Sequence, residues 1–194
     1  MHETELFHIK YTAMDKVSHL FGEASEELKK VILKYQLPEE VTAKRARIFR
    51  GENYKHLPYV VMDYPALFGK EDSFAFRTMF WWGNFFSFTL FLQGKYLEKY
   101  KGRLLADIHA LKEKDLYFCV NSSPWQYHYN ADNYLPLDEL FLSGNNFAAE
   151  QMRKNKFIKL SRQIKISGWE KVNGTCAETL ELLLHAAGVK KNNL

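Results

Sequence analysis

The chain has 194 residues with 27 basic and 23 acidic side chains, and 15% of its residues are aromatic. This length predicts a single domain, residues 1–194, that buries a hydrophobic core without disulfide staples. A net charge of only +4 argues against a dedicated nucleic-acid-binding protein, because such proteins concentrate far more basic residues. Two cysteines are too few for a disulfide framework and indicate a reducing, cytoplasmic location.

The sequence predicts no secretory signal and no membrane association. The first five residues are acidic and are not followed by an apolar segment. The long apolar stretch at residues 74–92 has a central Gly-Asn pair and two-residue alternation, which disfavour a membrane-spanning helix.

The opening part of the chain predicts amphipathic helices. Residues 12–15 are typical of a helix start, and apolar residues then recur at helical spacing up to Tyr35. The pattern fits either one long helix or two short helices separated at Gly22. Pro38 ends the helical region.

Strands are predicted next. Residues 44–50 and 59–63 are candidate strands, with a turn at residues 51–53 and a proline on either side of the second strand. Together with the aromatic run at residues 73–93, they predict a four-stranded antiparallel meander.

The aromatic run is the strongest structural signal in the chain. Gly83-Asn84 between two alternating apolar runs predicts a β-hairpin with a two-residue turn. This turn pairs Trp82 with Phe85 and places Arg77 opposite Leu90. Both faces are then largely apolar, so both must be covered. Helices are predicted to cover one face. The other face must meet more of the chain, a second subunit or a ligand cavity, and it is predicted to carry Phe74, Phe76, Phe80, Trp82, Phe85 and Phe91.

The remaining chain alternates between helices and short strands. A capping box beginning at Thr175 opens the last helix, and Gly188 ends it. The other predicted elements are a helix at 95–112, a strand at 116–120, an irregular segment at 122–137, a helix around 140–152 with a turn at 144–146, and a strand at 157–166. The predicted fold class is α+β: a mostly antiparallel sheet built on the aromatic hairpin, with N-terminal helices, a middle helix and a capped C-terminal helix packed on it.

Arg77 is a candidate functional residue because it lies within an apolar strand, where an unpaired charge is costly. It predicts an anchor for a ligand carboxylate or phosphate. The structural alternatives are an ion pair with Asp63 on the preceding strand, or a head group that reaches solvent at an edge.

The segment from Trp125 to Tyr134 concentrates aromatic, amide, histidine and aspartate side chains, as binding loops often do. The candidate ligand-binding residues are Arg77, Trp125, Tyr127, His128, Asn130 and Asp132. His128 and Asp132 are also candidates for general acid–base catalysis. The alternative is a structural loop whose aromatic rings cover the sheet. Two ligands at loop spacing do not specify a metal site, so none is predicted.

Two further signals are weaker. Cys176 lies near a predicted helix start, where the helix dipole can lower the pKa of a thiol, but a small structural residue is the simpler interpretation. The basic cluster at residues 44–50 fits single-stranded nucleic acid less well than a solvated strand or a partner surface. No cofactor-binding motif occurs, so the cofactor stays unknown.

Three hypotheses for function follow. The leading one is a non-catalytic domain that binds a small ligand in an aromatic pocket anchored by Arg77. The first alternative is a hydrolase or transferase that uses His128 and Asp132. The second is a structural or interaction protein whose aromatic sheet face forms a homodimer interface.

Overall fold

An antiparallel sheet with helices on one face forms the molecule. The computed structural model describes residues 3–142 and 147–193. Within them the strands are β1 (Arg47–Tyr54), β2 (Leu57–Phe68), β3 (Ser73–Trp81), β4 (Phe85–Gln93), β5 (Leu116–Cys119), β6 (Tyr134–Pro136) and β7 (Phe157–Lys165). The α-helices are α1 (Glu3–Leu33), α2 (Glu39–Thr42), α3 (Lys95–Ala106), α4 (Leu137–Leu142), α5 (Phe147–Asn155) and α6 (Val172–Ala186). Short 3₁₀ helices lie at Ile108–Leu111 and Ile166–Lys171.

The seven described strands form one sheet in the order β1-β2-β3-β4-β7-β5-β6, and every pairing is antiparallel. The aromatic strands β3 and β4 lie at its centre. The α+β prediction is therefore confirmed. None of the helices in the described part of the chain is long and apolar enough to cross a membrane.

One side of the sheet, the helix face, packs against α1, α3 and α6. Phe76, Phe86 and Phe88 are fully buried here, and the ring of Phe21 on α1 meets that of Phe86 edge-on at 6.3 Å. Burial of each phenylalanine contributes roughly 1.5–3 kcal/mol, so this layer stabilises the fold substantially.

The opposite side, the loop face, is covered by residues 120–133, which connect β5 to β6 and are called the covering segment below. Its backbone is tied to the sheet through Tyr54, whose hydroxyl oxygen accepts the backbone N–H groups of Tyr127 at 2.8 Å and His128 at 3.1 Å. The chain itself therefore covers both apolar faces of the hairpin.

The predicted register of the hairpin is wrong by one residue. Trp81 pairs with Phe85, and the turn contains three residues, with Gly83 at φ +71°. The N–H of Asn84 donates to the carbonyl of Trp81 at 3.0 Å within this three-residue turn. A glycine in the left-handed conformation suits a three-residue turn as well as a two-residue turn, so the Gly-Asn signal did not distinguish them.

The shifted register moves side chains between faces, because neighbouring residues of a strand point to opposite sides. The residues predicted to share the face opposite the helices are divided between the two sides. Phe74, Phe76 and Phe80 lie on the helix face, which contradicts that prediction. Phe85 and Phe91 lie on the loop face. Arg77 pairs with Thr89 instead of Leu90, so its surroundings are more polar than predicted.

The N-terminal helix is unbroken, and Gly22 lies inside it. The buried stripe of Val17, Phe21 and Leu28 continues through this position, and its packing outweighs the cost of about 1 kcal/mol for a helical glycine. Residue Thr12 is likewise within α1 and not at its start.

Several element boundaries also differ from the prediction. The β1–β2 turn lies at Lys55 and His56, both with positive φ, and not at residues 51–53. Helix α6 begins at Val172, before the predicted capping box at Thr175. Strand β6 lies within the segment predicted to be irregular. The predicted turn at 144–146 lies outside the described residues.

Candidate functional site

Three predicted site residues, Arg77, Trp125 and Tyr127, meet at a small cavity between the loop face and the covering segment. Lys159 on β7 and the ring of Phe91 on β4 also line it. The cavity measures about 20 Å³, which is enough for one water-sized molecule. The covering segment and four adjacent strands, β2, β3, β4 and β7, thus converge on this cavity.

The charge of Arg77 is matched by Asp63 on the neighbouring strand β2. The Nε and Nη2 atoms of Arg77 donate to the two carboxylate oxygens of Asp63 at 2.7 and 2.8 Å. The side chains are 14% and 4% exposed. Burial opposes the charged form, but the bonds to Asp63 and its charge raise the pKa of Arg77 above its ordinary value. This is the ion pair that the sequence offered as the structural alternative.

Arg77 also contacts the covering segment. Its Nη1 donates to the hydroxyl of Tyr127, and its guanidinium lies 5.1 Å from the centre of that ring. Burial raises the pKa of Tyr127 to about 12, which keeps the phenol neutral. Arg77 therefore links β2, β3 and the covering segment.

Lys159 is the second cation of the site and is only 2% exposed. Its Nζ donates to the backbone carbonyls of Pro124 at 2.8 Å and Gln126 at 2.6 Å. It also lies 4.7 Å from the ring centre of Tyr127 and 5.1 Å from that of Tyr134. Across the described residues, no carboxylate lies within ion-pair distance of it. The site therefore holds two cationic side chains and one compensating carboxylate.

Burial in this setting lowers the pKa of Lys159 to about 7. The charge of Arg77 lowers it further, while the nearby thiol of Cys119 opposes the shift. An amine in such an environment changes its charge readily near neutral pH.

Trp125 forms the outer wall of the cavity and is 55% exposed. Its ring centre lies 6.4 Å from that of Phe68 and 6.1 Å from that of Phe91. The flanking carbonyls, of Pro124 and Gln126, are the ones that bind Lys159. The indole is thus an exposed ring held over an aromatic floor.

The other predicted site residues do not line this cavity. His128 is buried, and its Nδ1 lies 3.7 Å from the Asp132 carboxylate, beyond hydrogen-bond distance. Burial lowers the pKa of His128. Asp132 is exposed, as is Asn130, whose carbonyl caps the turn by accepting the N–H groups of Asn133 and Tyr134.

The two cysteines are free thiols buried on opposite faces of the sheet. Cys176 lies against Thr78 in the helix-face core, with Sγ and Oγ1 3.2 Å apart, and burial raises its pKa to about 12. Cys119 lies on the loop face, where burial also raises the pKa of its thiol. Neither environment activates a nucleophile.

The remaining sequence signals lie elsewhere. The basic residues Lys44, Arg45 and Arg47 border a surface groove of about 280 Å³. Larger grooves of about 630 to 730 Å³ lie beside α3, α1 and the end of α6, and contain none of the predicted site residues. In the ranges 3–142 and 147–193, no three His, Cys, Asp or Glu residues are grouped to hold a metal ion.

Sequence reasoning missed Lys159 as a site residue. The alternation of residues 157–161 places it on one face of a strand with Phe157 and Ser161. A lysine between two apolar neighbours on an interior strand is a signal of burial, but only the position of the covering segment shows what surrounds it.

Comparison with known proteins identifies no relative: no protein-family model matches the chain, and no curated protein or solved structure is significantly similar to it.

Proposed function

We propose that the chain is a non-catalytic domain that binds a small, ring-containing ligand beneath Trp125. One observation carries the proposal. Two buried cations, Arg77 and Lys159, and four aromatic side chains line the same cavity. Ligand sites commonly combine apolar walls with a few fixed polar groups in this way.

Trp125 supports the proposal as the movable wall. It is more than half exposed and belongs to a segment without regular secondary structure, so rotation of its side chain displaces little else. When the indole turns outward, the vacated space lies over Phe68 and Phe91. A ligand ring of similar size recovers the aromatic contacts that the indole gives up.

The lining residues favour binding over catalysis. They include no nucleophile paired with a base, and the candidate pair of His128 and Asp132 lies outside the cavity, with the His128 Nδ1 atom 3.7 Å from the Asp132 carboxylate. We also propose a reducing, cytoplasmic setting, which the two unpaired buried thiols support.

Three aryl compounds of matched size test this function: phenylacetate, phenylacetamide and 2-phenylethylamine. The readout is the set of tryptophan indole N–H signals in nitrogen-15 NMR spectra, with Trp125 assigned from the Trp125→Phe variant. We expect at least one compound to shift the Trp125 signal saturably while leaving unchanged the signal of Trp169, which packs against the helix-face core.

A blocking variant locates the site. Ala75 is fully buried and lines the cavity floor, so Ala75→Val should weaken binding at least tenfold by filling the space. Ala66→Val is the matched control, since Ala66 is also a buried strand alanine but does not line the cavity. If none of the three compounds shifts Trp125 up to its solubility limit, the proposed function is wrong.

A further inference from the structure

We propose that the ligand is an aryl carboxylate and that its carboxylate binds the ammonium group of Lys159. This assignment rests on the proposed function and replaces Arg77, the anchor expected from the sequence, with a residue on β7. Lys159 and Trp125 line the same cavity, so a carboxylate one carbon away from a ring can reach both.

Arg77 is a poor anchor because its charge is already compensated. Both oxygens of Asp63 accept its hydrogen bonds, at 2.7 and 2.8 Å, and Tyr127 occupies a third donor. A ligand carboxylate at Arg77 has to displace Asp63 or share the guanidinium with a buried negative charge, which is unfavourable.

Lys159, in contrast, has no carboxylate partner in the parts of the chain that the structure describes. Its Nζ donates to two neutral carbonyls, of Pro124 and Gln126, and an ammonium group has three donors. The uncompensated charge and the remaining donor fit an anionic ligand, because a charge-assisted bond is about twice as strong as a neutral one.

Among the described residues that face Lys159, none supplies a negative charge to balance its ammonium group. Arg77 on β3 is a cation, Cys119 on β5 is a thiol, and Tyr127 and Tyr134 are phenols whose pKa values are raised by burial. His128 on the covering segment has its pKa lowered by burial, with the charge of Lys159 contributing. The cation Arg77 is paired with Asp63, and none of the other facing groups is a carboxylate.

Binding of a carboxylate should therefore depend on pH. The pKa of Lys159 lies at about 7 in the free protein, so its protonated fraction falls tenfold for each pH unit above that value. A bound carboxylate favours the ammonium form and raises this pKa. Between pH 6 and pH 9, affinity for phenylacetate should fall by up to about 100-fold, whereas affinity for the neutral amide should not.

The test compares phenylacetate with phenylacetamide at pH 6 and pH 9, using the Trp125 signal. In the wild-type protein we expect phenylacetate to bind at least tenfold more tightly than phenylacetamide at pH 6. At pH 9 this preference for the acid should be lost. Lys159→Met should show no preference for the acid at pH 6, as the wild-type protein shows none at pH 9. Lys165→Met, an exposed lysine on the same strand, should retain it.

The outcomes separate the two proposals. Equal, pH-independent binding of the acid and the amide leaves the proposed function intact and overturns the carboxylate assignment, as does a preference that survives in Lys159→Met. Failure of every compound to shift Trp125 overturns both.

If Lys159→Met does not fold, the wild-type protein supplies the second measurement. The apparent pKa of Lys159, read from the carbon-13 shift of its Cε, should rise by at least one unit when phenylacetate saturates the protein. An unchanged pKa in the saturated protein overturns the assignment.

Discussion

The buried pair of Arg77 and Asp63 predicts a large loss of stability when one charge is removed. In Asp63→Asn the amide oxygen still accepts one guanidinium N–H, but the amide nitrogen faces the second donor. Arg77, only 14% exposed, then keeps a buried and uncompensated charge. Removing one member of such a pair costs about 3–5 kcal/mol of unfolding free energy.

Urea denaturation of Asp63→Asn and of the wild-type protein measures this loss. In thermal denaturation the same loss should lower the melting temperature of a chain of this size by roughly 6–20 °C, at about 2–4 °C per kcal/mol. Asp15→Asn is the control, because its pair with Arg50 is 64% exposed on the carboxylate side and should be worth about 0–1 kcal/mol.

A double-mutant cycle gives the refuting result. In an Arg77→Met background Asp63 has lost its cation, so Asp63→Asn should be neutral or stabilising there. If Asp63→Asn costs the same free energy with Arg77 and with Met at position 77, the two residues are not coupled and the assigned ion pair does not stabilise the fold.

Three other predictions concern stability and reactivity. Lys159 has a pKa of about 7 in the folded protein against 10.5 as its ordinary value, so the unfolded chain binds more protons between these values. The unfolding free energy of the wild-type protein should therefore rise with pH across this window, by up to about 1.4 kcal/mol per pH unit relative to Lys159→Met. Urea denaturation that gives the same change between pH 7 and pH 9 for both proteins would contradict this. Cys119 and Cys176 should react with Ellman's reagent only after unfolding, because both thiols are buried with raised pKa values; a fast native thiol would show that one of them is accessible. Gly94→Ala should destabilise by about 2–3 kcal/mol, because Gly94 has φ +61° and a Cβ there would lie 2.3 Å from the carbonyl oxygen of Glu71. Gly102→Ala, in open space within α3, should stabilise by about 0.5–1 kcal/mol, and similar effects at the two positions would refute the reasoning.

The fold class could be predicted because its signals are local. Helical spacing of apolar residues marked α1, and the aromatic run marked β3 and β4, the pair at the sheet's centre. The apolar character of both hairpin faces also predicted that both are covered. These inferences depend on periodicity within one element, which needs no knowledge of distant contacts.

The register and the cavity depend on finer or longer-range features. One extra residue in the turn at Gly83 exchanged the faces of β4, and the Gly-Asn pair is compatible with either turn. The cavity forms only because β7 enters the sheet between β4 and β5 and brings Lys159 beneath the covering segment. Such a juxtaposition of residues 77, 125 and 159 has no local signature.

A crystal structure of the protein grown with phenylacetate at pH 6 tests the central claim most directly. The account predicts the phenyl ring over Phe68 and Phe91, the Trp125 indole turned outward, and the carboxylate within hydrogen-bond distance of the Lys159 Nζ atom. Phenylacetate bound only in one of the outer grooves, or an unchanged Trp125 above an empty cavity, would contradict it.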